Sequence, residues 1–245
     1  HNNTADAGRA AESDGIQWAN AEAYRKLRTN VGFVGLGGER RSSMVVTSSV
    51  AGEGKTETAT NLARVLALAG ERVLLIDADL RRPQVADRLR LDSELGLSDV
   101  LTGRGTLQDL IIDVAPGYFY VLPAGTVPPN PSELLGSEAM AHLLATVERQ
   151  FDYVLFDAPP MLPVTDAVIL AAQTGGAIVV SRSGLLRRQQ LETSLGMLES
   201  ADATVLGIVL NDVPVSKADA YAGYYSSHAQ ESSERAHRVQ ADAAV

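Results

Sequence analysis

The sequence predicts an α/β fold in which a mostly parallel central sheet carries helices on both faces. Three observations lead there. Short, continuous apolar runs recur at residues 44–47, 72–77, 118–122, 153–157, 177–181 and 205–211, and unbroken runs of this length mark strands covered on both faces. Helical segments separate most of these runs, and strands alternating with helices pair in parallel through right-handed crossovers. A chain of 245 residues with 45% hydrophobic content is large enough to enclose one such core.

Composition removes several classes of function. The net charge of −9 leaves no general footprint for nucleic acid, which requires clustered Lys and Arg. The absence of cysteine removes disulfides, thiolate metal sites and cysteine nucleophiles. No stretch approaches the roughly 20 apolar residues that span a bilayer, so the chain as given is expected to be soluble. His1 replaces an initiating methionine and heads a polar run, which suggests a piece cut from something larger, with a tag residue left behind and membrane spans among what was removed.

The elements follow in order. Residues 1–17 are small, polar and aperiodic, and read as disordered. Trp18, Tyr24, Leu27, Val31 and Val34 recur near a helical period, while Glu22, Arg25 and Arg28 form a charged line on the same helix, assigned to 18–36. Gly35-Leu36-Gly37-Gly38 ends it. A domain over 37–215 follows. Its first strand, Met44 to Thr47, runs into Ser49-Val50-Ala51-Gly52-Glu53-Gly54-Lys55-Thr56, and Ala59, Leu62, Val65, Leu66 and Ala69 mark a helix that Gly70 closes. Further on, Asn130, Pro131 and Glu133 signal a helix start, with Asn130 as cap. After Asp212 the apolar pattern fades, and 216–245 reads as a flexible tail carrying Tyr221, Tyr224 and Tyr225.

A glycine loop between strand and helix suits phosphates. Glycine lets the backbone approach closely, successive N–H groups point inward, and the helix N-terminus adds partial positive charge. The residues expected at the nucleotide are Ala51, Gly52, Glu53, Gly54, Lys55, Thr56 and Glu57. Lys55 would reach the outer phosphates and the Thr56 hydroxyl would bind magnesium. Ser49 departs from the glycine that the general pattern places first. Asp157 ends an apolar strand where a second magnesium carboxylate belongs. Asp77 and Asp79 end another, followed by Arg81 and Arg82. The carboxyl ends of parallel strands share one crevice, so these acids should converge on the terminal phosphate. There they need an intervening cation, or one of them faces a proton to be abstracted. The nucleotide is expected to be ATP with Mg2+. His142 and His228 have no paired ligand spacing, and Arg187 and Arg188 read as helix surface.

Three segments, Ser49 to Thr56, Leu74 to Arg81 and Val154 to Pro160, resemble the Walker A, Walker A′ and Walker B motifs of the bacterial tyrosine kinase family and stand in its order. The resemblance runs from Glu22 to about Tyr225. It takes in Leu122 to Gly125, Pro128 to Pro131, Asp166-Ala167 and Gly207 to Asn211. It implies a P-loop NTPase fold and an ATP-dependent tyrosine autokinase acting on tail tyrosines in trans and regulating capsular or extracellular polysaccharide synthesis and export. By position it makes Lys55, Asp77, Asp79 and Asp157 catalytic. Thr56, Asp79 and Asp157 would hold the metal, Asp77 would be the base for a tyrosine hydroxyl, and Asn211 a contact to adenine. Glu22, Arg25 and Arg28 would pair neighbouring subunits in a ring, and Tyr221, Tyr224 and Tyr225 would accept phosphate. The implied partners are further copies of the chain, a membrane-embedded polysaccharide chain-length regulator in the same or a partner chain, and a protein-tyrosine phosphatase, with no nucleic acid. The implied location is the cytoplasmic side of the bacterial inner membrane. Two other readings stay open on the residues: a partitioning-type switch ATPase, whose signature lysine position is here Val50, and a non-catalytic module that uses nucleotide to control assembly.

Overall fold

A computed structural model describes residues 21–33, 43–116 and 119–214. Arg28–Val213 forms one compact unit. The expected disordered segment, the helix start at Trp18, the glycines at 35–38, His228 and the tail tyrosines Tyr221, Tyr224 and Tyr225 lie outside the described residues.

A first helix, α1 (21–33), precedes a sheet of seven strands. In chain order the strands are β1 (Ser43–Ser48), β2 (Val73–Asp77), β3 (Ile112–Ala115), β4 (Phe119–Leu122), β5 (Tyr153–Asp157), β6 (Ala177–Arg182) and β7 (Val205–Asn211). Between them run α2 (Lys55–Ala67), α3 (Val85–Leu89), α4 (Leu97–Leu101), α5 (Leu107–Leu110), α6 (Pro131–Leu135), α7 (Glu138–Gln150), α8 (Asp166–Gln173) and α9 (Arg188–Ser200). The order across the sheet is β3-β4-β2-β5-β1-β6-β7, parallel throughout except for β3 against β4.

The predicted architecture holds, for the predicted reason. Every residue of β1 and β2 is buried. Successive strand residues point to opposite faces, so both faces of the sheet centre are covered. Phe156, Leu74, Ile76 and Val45 sit in that core with Leu135, Met140 and Leu170 from the helices. The register of β2 on β5 sets Asp77 directly beside Asp157, and β1 runs alongside at Val46. The carboxyl ends of β1, β2 and β5 therefore finish at one level.

Three features differ from the sequence reading. The edge strand β3 is an addition, antiparallel and interrupted by a register shift between Asp113 and Ala115. At the other edge, β7 is not covered on both faces: Ile208 and Leu210 are 49% and 59% exposed. At the start of α6, Asn130 occupies the cap position and Pro131 the first turn as expected, but no side-chain oxygen caps the helix. The Asn130 amide instead donates to the Glu133 carboxylate at 2.6 Å. Among the described residues no helix is long and apolar enough to cross a membrane.

Candidate active site

The glycine loop occupies the turn from β1 to α2, and its shape rests on two glycines in the left-handed region, Gly52 at φ 85° and Gly54 at φ 92°. Gly54 has a second constraint. A Cβ there would lie 2.1 Å from Asn211 Nδ2, a distance no side chain tolerates. No side chain caps α2, so the first N–H groups of the helix face the loop and are open to an anion.

The loop is braced by its neighbours. Glu53 is fully buried. Its carboxylate accepts the Val50 N–H at 2.8 Å and the Arg182 N–H at 3.3 Å. The Glu53 carbonyl accepts the Asn211 amide at 3.1 Å. Arg182 donates to the Gly52 carbonyl at 3.4 Å and holds Asp212 at 2.7 Å. Glu53, expected at the nucleotide, thus uses its side chain to shape the loop. Glu57 turns outward to Arg88, 3.6 Å away. Gly54→Ala joins a left-handed strain of about 1–2 kcal/mol to the displacement of Asn211 from Glu53. The variant is expected to weaken nucleotide binding by about tenfold or more, read by equilibrium titration with a fluorescent nucleotide.

Lys55 bridges the acids. Its Nζ lies 3.0 Å from Asp79 Oδ2, 3.5 Å from Asp157 Oδ1 and 3.3 Å from Thr56 Oγ1. Burial opposes its charge, but the attraction of Asp157, Asp79 and Asp77 outweighs it and leaves the Lys55 pKa above its ordinary value. Burial also raises the Asp157 carboxyl, against the pull of the Lys55 ammonium and the Thr56 hydroxyl. Asp77 is pushed up to about 7, first by burial and then by the charge of Asp157. Its Oδ1 accepts the Asp79 N–H at 3.2 Å, and its Oδ2 accepts those of Gln84 and Val85 at 3.0 Å each. A carboxylate has about four acceptor positions, so one remains.

The donor set fits a small divalent cation. Asp157 Oδ2 is buried without a hydrogen-bond partner. With the Asp79 carboxylate and the Thr56 hydroxyl it offers the hard oxygen ligands that Mg2+ takes alongside phosphate. A polyphosphate beside these acids would call for a further cation, since one Lys could not offset them all.

The structure thus brings together Lys55, Thr56, Asp77, Asp79 and Asp157. Asn211 meets the loop at Glu53 and Gly54. On α1, Arg25 pairs with Glu22 at 3.1 Å, whereas Arg28 donates to the Val65 carbonyl at 3.3 Å. Sequence reasoning missed Arg182 and the contact of Arg81 with Asp166 at 2.8 Å. The second joins residues 85 apart in sequence, beyond any local pattern.

A parallel sheet with a strand, a glycine loop, an uncapped helix and converging acids defines a P-loop nucleotide-binding protein, and the family model described as AAA domain matches residues 43–187. Tyrosine-protein kinase YwqD of Bacillus subtilis is 38% identical over 208 residues, 85% of this chain and 87% of that protein. The chain belongs to the bacterial tyrosine-protein kinase family. Tyrosine-protein kinase wzc of Salmonella typhi is 38% identical over 86% of this chain, which spans 30% of that longer protein. Among solved structures, the kinase domain of Escherichia coli tyrosine kinase ETK superposes with a TM-score of 0.74 at 36% identity, covering 80% of this chain and 78% of that one.

Proposed function

We propose that this chain is an ATP-dependent protein-tyrosine autokinase whose acceptors are Tyr221, Tyr224 and Tyr225 of another copy. The observation that carries the reading is the set of three carboxylates around Lys55, one of them, Asp77, with a pKa of about 7. A tyrosine hydroxyl has a pKa of about 10 and stays protonated at neutral pH. A base poised near neutrality suits the removal of that proton.

In this mechanism the loop amides and Lys55 bind the β- and γ-phosphates, and Asn211 meets the adenine. Thr56, Asp79 and Asp157 would hold Mg2+, which when bound neutralises charge on the phosphoryl oxygens. The tyrosine oxygen forms a bond to the γ-phosphorus as its proton passes to the free acceptor position of Asp77. The bond from the γ-phosphorus to the bridging oxygen breaks, and ADP departs with the electron pair. Lys55 stabilises the charge that accumulates on the transferring group. Asp77 then returns its proton to water.

The partners that fit are further copies of the chain in a ring joined through Glu22, Arg25 and Arg28, a membrane-embedded chain-length regulator on the cytoplasmic side of the membrane, and a phosphatase that resets the tail. The regulated process is polysaccharide synthesis and export. Val50 at the signature-lysine position speaks against a partitioning-type ATPase. Incubation with ATP and Mg2+ should place phosphate on the tail tyrosines, detected by phosphopeptide mapping. Replacing all three by Phe should leave nucleotide binding intact and abolish that signal. Steady ATP hydrolysis with no phosphotyrosine anywhere in the chain would overturn the reading.

A further inference from the structure

Asp166 takes no part in the chemistry above, yet its carboxylate is wholly buried and both of its oxygens are hydrogen-bonded. Arg81 grips it with two parallel bonds, Nε to Oδ2 at 2.8 Å and Nη2 to Oδ1 at 3.0 Å. The same Nη2 donates to Ser132 Oγ at 3.0 Å, and the Ser132 hydroxyl donates onward to Asp166 Oδ1. Asp166 opens α8, and Ser132 lies in the first turn of α6. The start of α8 carries partial positive charge and by itself repels a guanidinium. The Asp166 carboxylate reverses that local sign and makes the place attractive to Arg81.

Arg81 stands two residues after Asp79, in the turn from β2 to α3. Asp77 holds the two ends of that turn through the N–H groups of Asp79, Gln84 and Val85. Asp79 accepts the Arg82 N–H at 3.0 Å. These bonds tie the turn to α3 and the Lys55–Asp79 pair ties it to α2, whereas the Arg81 fork ties it to α6 and α8. We infer that Asp166, supported by Ser132, is a positioning residue acting through Arg81: it pins the turn and draws the Arg81 guanidinium aside, leaving Lys55 as the cation on Asp79. The charge of Asp79 already acts on Arg81, so an Arg81 released from Asp166 has an alternative acid within its field. Pairing there would compete with Lys55 and with the metal for the Asp79 carboxylate. The fork matters as well as the charge, because a lysine supplies a point charge and cannot make both bonds in one plane.

The inference rests on the kinase reading for its catalytic consequence but not for its structural one, and the experiment separates them. In the full chain, Asp166→Asn removes the charge and one acceptor at nearly constant volume. Hydrogen exchange at the amides of Arg82, Gln84 and Val85 is expected to quicken by about tenfold or more while the β1 and β5 amides stay as in the wild type. ADP affinity, set by the loop, should stay within about twofold, while kcat for tail phosphorylation falls by about tenfold or more through misplacement of Asp79. Arg81→Lys should give an intermediate exchange rate and kcat. It also serves if Asp166→Asn does not fold, since it keeps the buried charge paired. Wild-type exchange in the turn, or an increase spread evenly over the whole domain, overturns the inference. A wild type without phosphotyrosine overturns the kinase reading, and the exchange pattern then still decides the positioning role. An active wild type with unchanged kcat and exchange in both variants overturns the positioning role alone.

Discussion

Lys55→Met is expected to lower ATP-dependent phosphorylation of Tyr221, Tyr224 and Tyr225 by about 100–1000-fold, the scale seen when one preorganised charge partner of a transition state is removed. The lysine meets Asp79 at 3.0 Å and Asp157 at 3.5 Å. In the free protein it therefore offsets buried carboxylates, and with nucleotide it must exchange part of that pairing for phosphate. Methionine keeps most of the apolar stem and volume but supplies no charge. Two losses follow from one change. The transferring phosphoryl group loses its nearest protein cation, and Asp79 and Asp157 are left facing the polyphosphate with less to hold them there. Affinity for ATP should fall along with the rate, whereas the fold, built on the apolar centre of β1, β2 and β5, should persist. Quantitative phosphopeptide mass spectrometry beside a nucleotide titration and a thermal melt reads all three. A variant that keeps more than about a tenth of the rate would place the reaction at another site.

The sheet and the loop were readable in the sequence because their signals are local. Val73 to Asp77 and Val154 to Asp157 are unbroken apolar runs ending in an acid, and burial on both faces leaves no other pattern. The convergence of Asp77 with Asp157 was readable for a topological reason: parallel strands end together. What escaped depends on partners far apart in sequence. β3 has only four residues, half-exposed and bent by a register shift, so it lacks both a clean alternation and a continuous apolar run. β7 carries the apolar composition of a central strand but lies at an edge, and composition does not report position in the sheet. Glu53 reads as one more loop residue. Only the structure shows its carboxylate turned back onto Val50 and Arg182. Asp166 belongs to a segment marked by resemblance alone and Ser132 to a helix start signalled by Asn130, Pro131 and Glu133, and their use by Arg81 is a matter of three-dimensional packing.

Asp157→Asn should separate activity from stability. The carboxylate is fully buried, with Oδ1 on Lys55 and Oδ2 without a partner, and it lies beside Asp77 across the sheet. Burial raises the Asp157 carboxyl despite Lys55 and Thr56, so above the ordinary carboxylate range its charge costs the free protein stability, a cost that a neutral amide of similar shape removes. Asparagine keeps the volume and can still accept from Lys55, which retains Asp79. In the absence of nucleotide and metal the melting temperature is therefore expected to rise by about 2–4 °C, the shift that about 1 kcal/mol produces in a domain of this size. Activity should move the other way. An amide is a poor ligand for Mg2+ compared with a carboxylate, so phosphorylation should fall by about 100-fold or more, and higher Mg2+ should restore part of it. Removing the negative neighbour also lets the Asp77 carboxyl drop back toward the ordinary carboxylate range, which weakens it as a base. The opposite signs are what give the experiment its force. A residue serving only the fold would lose stability and activity together, whereas a carboxylate held in the core for its chemistry costs stability while it is present and activity when it is gone.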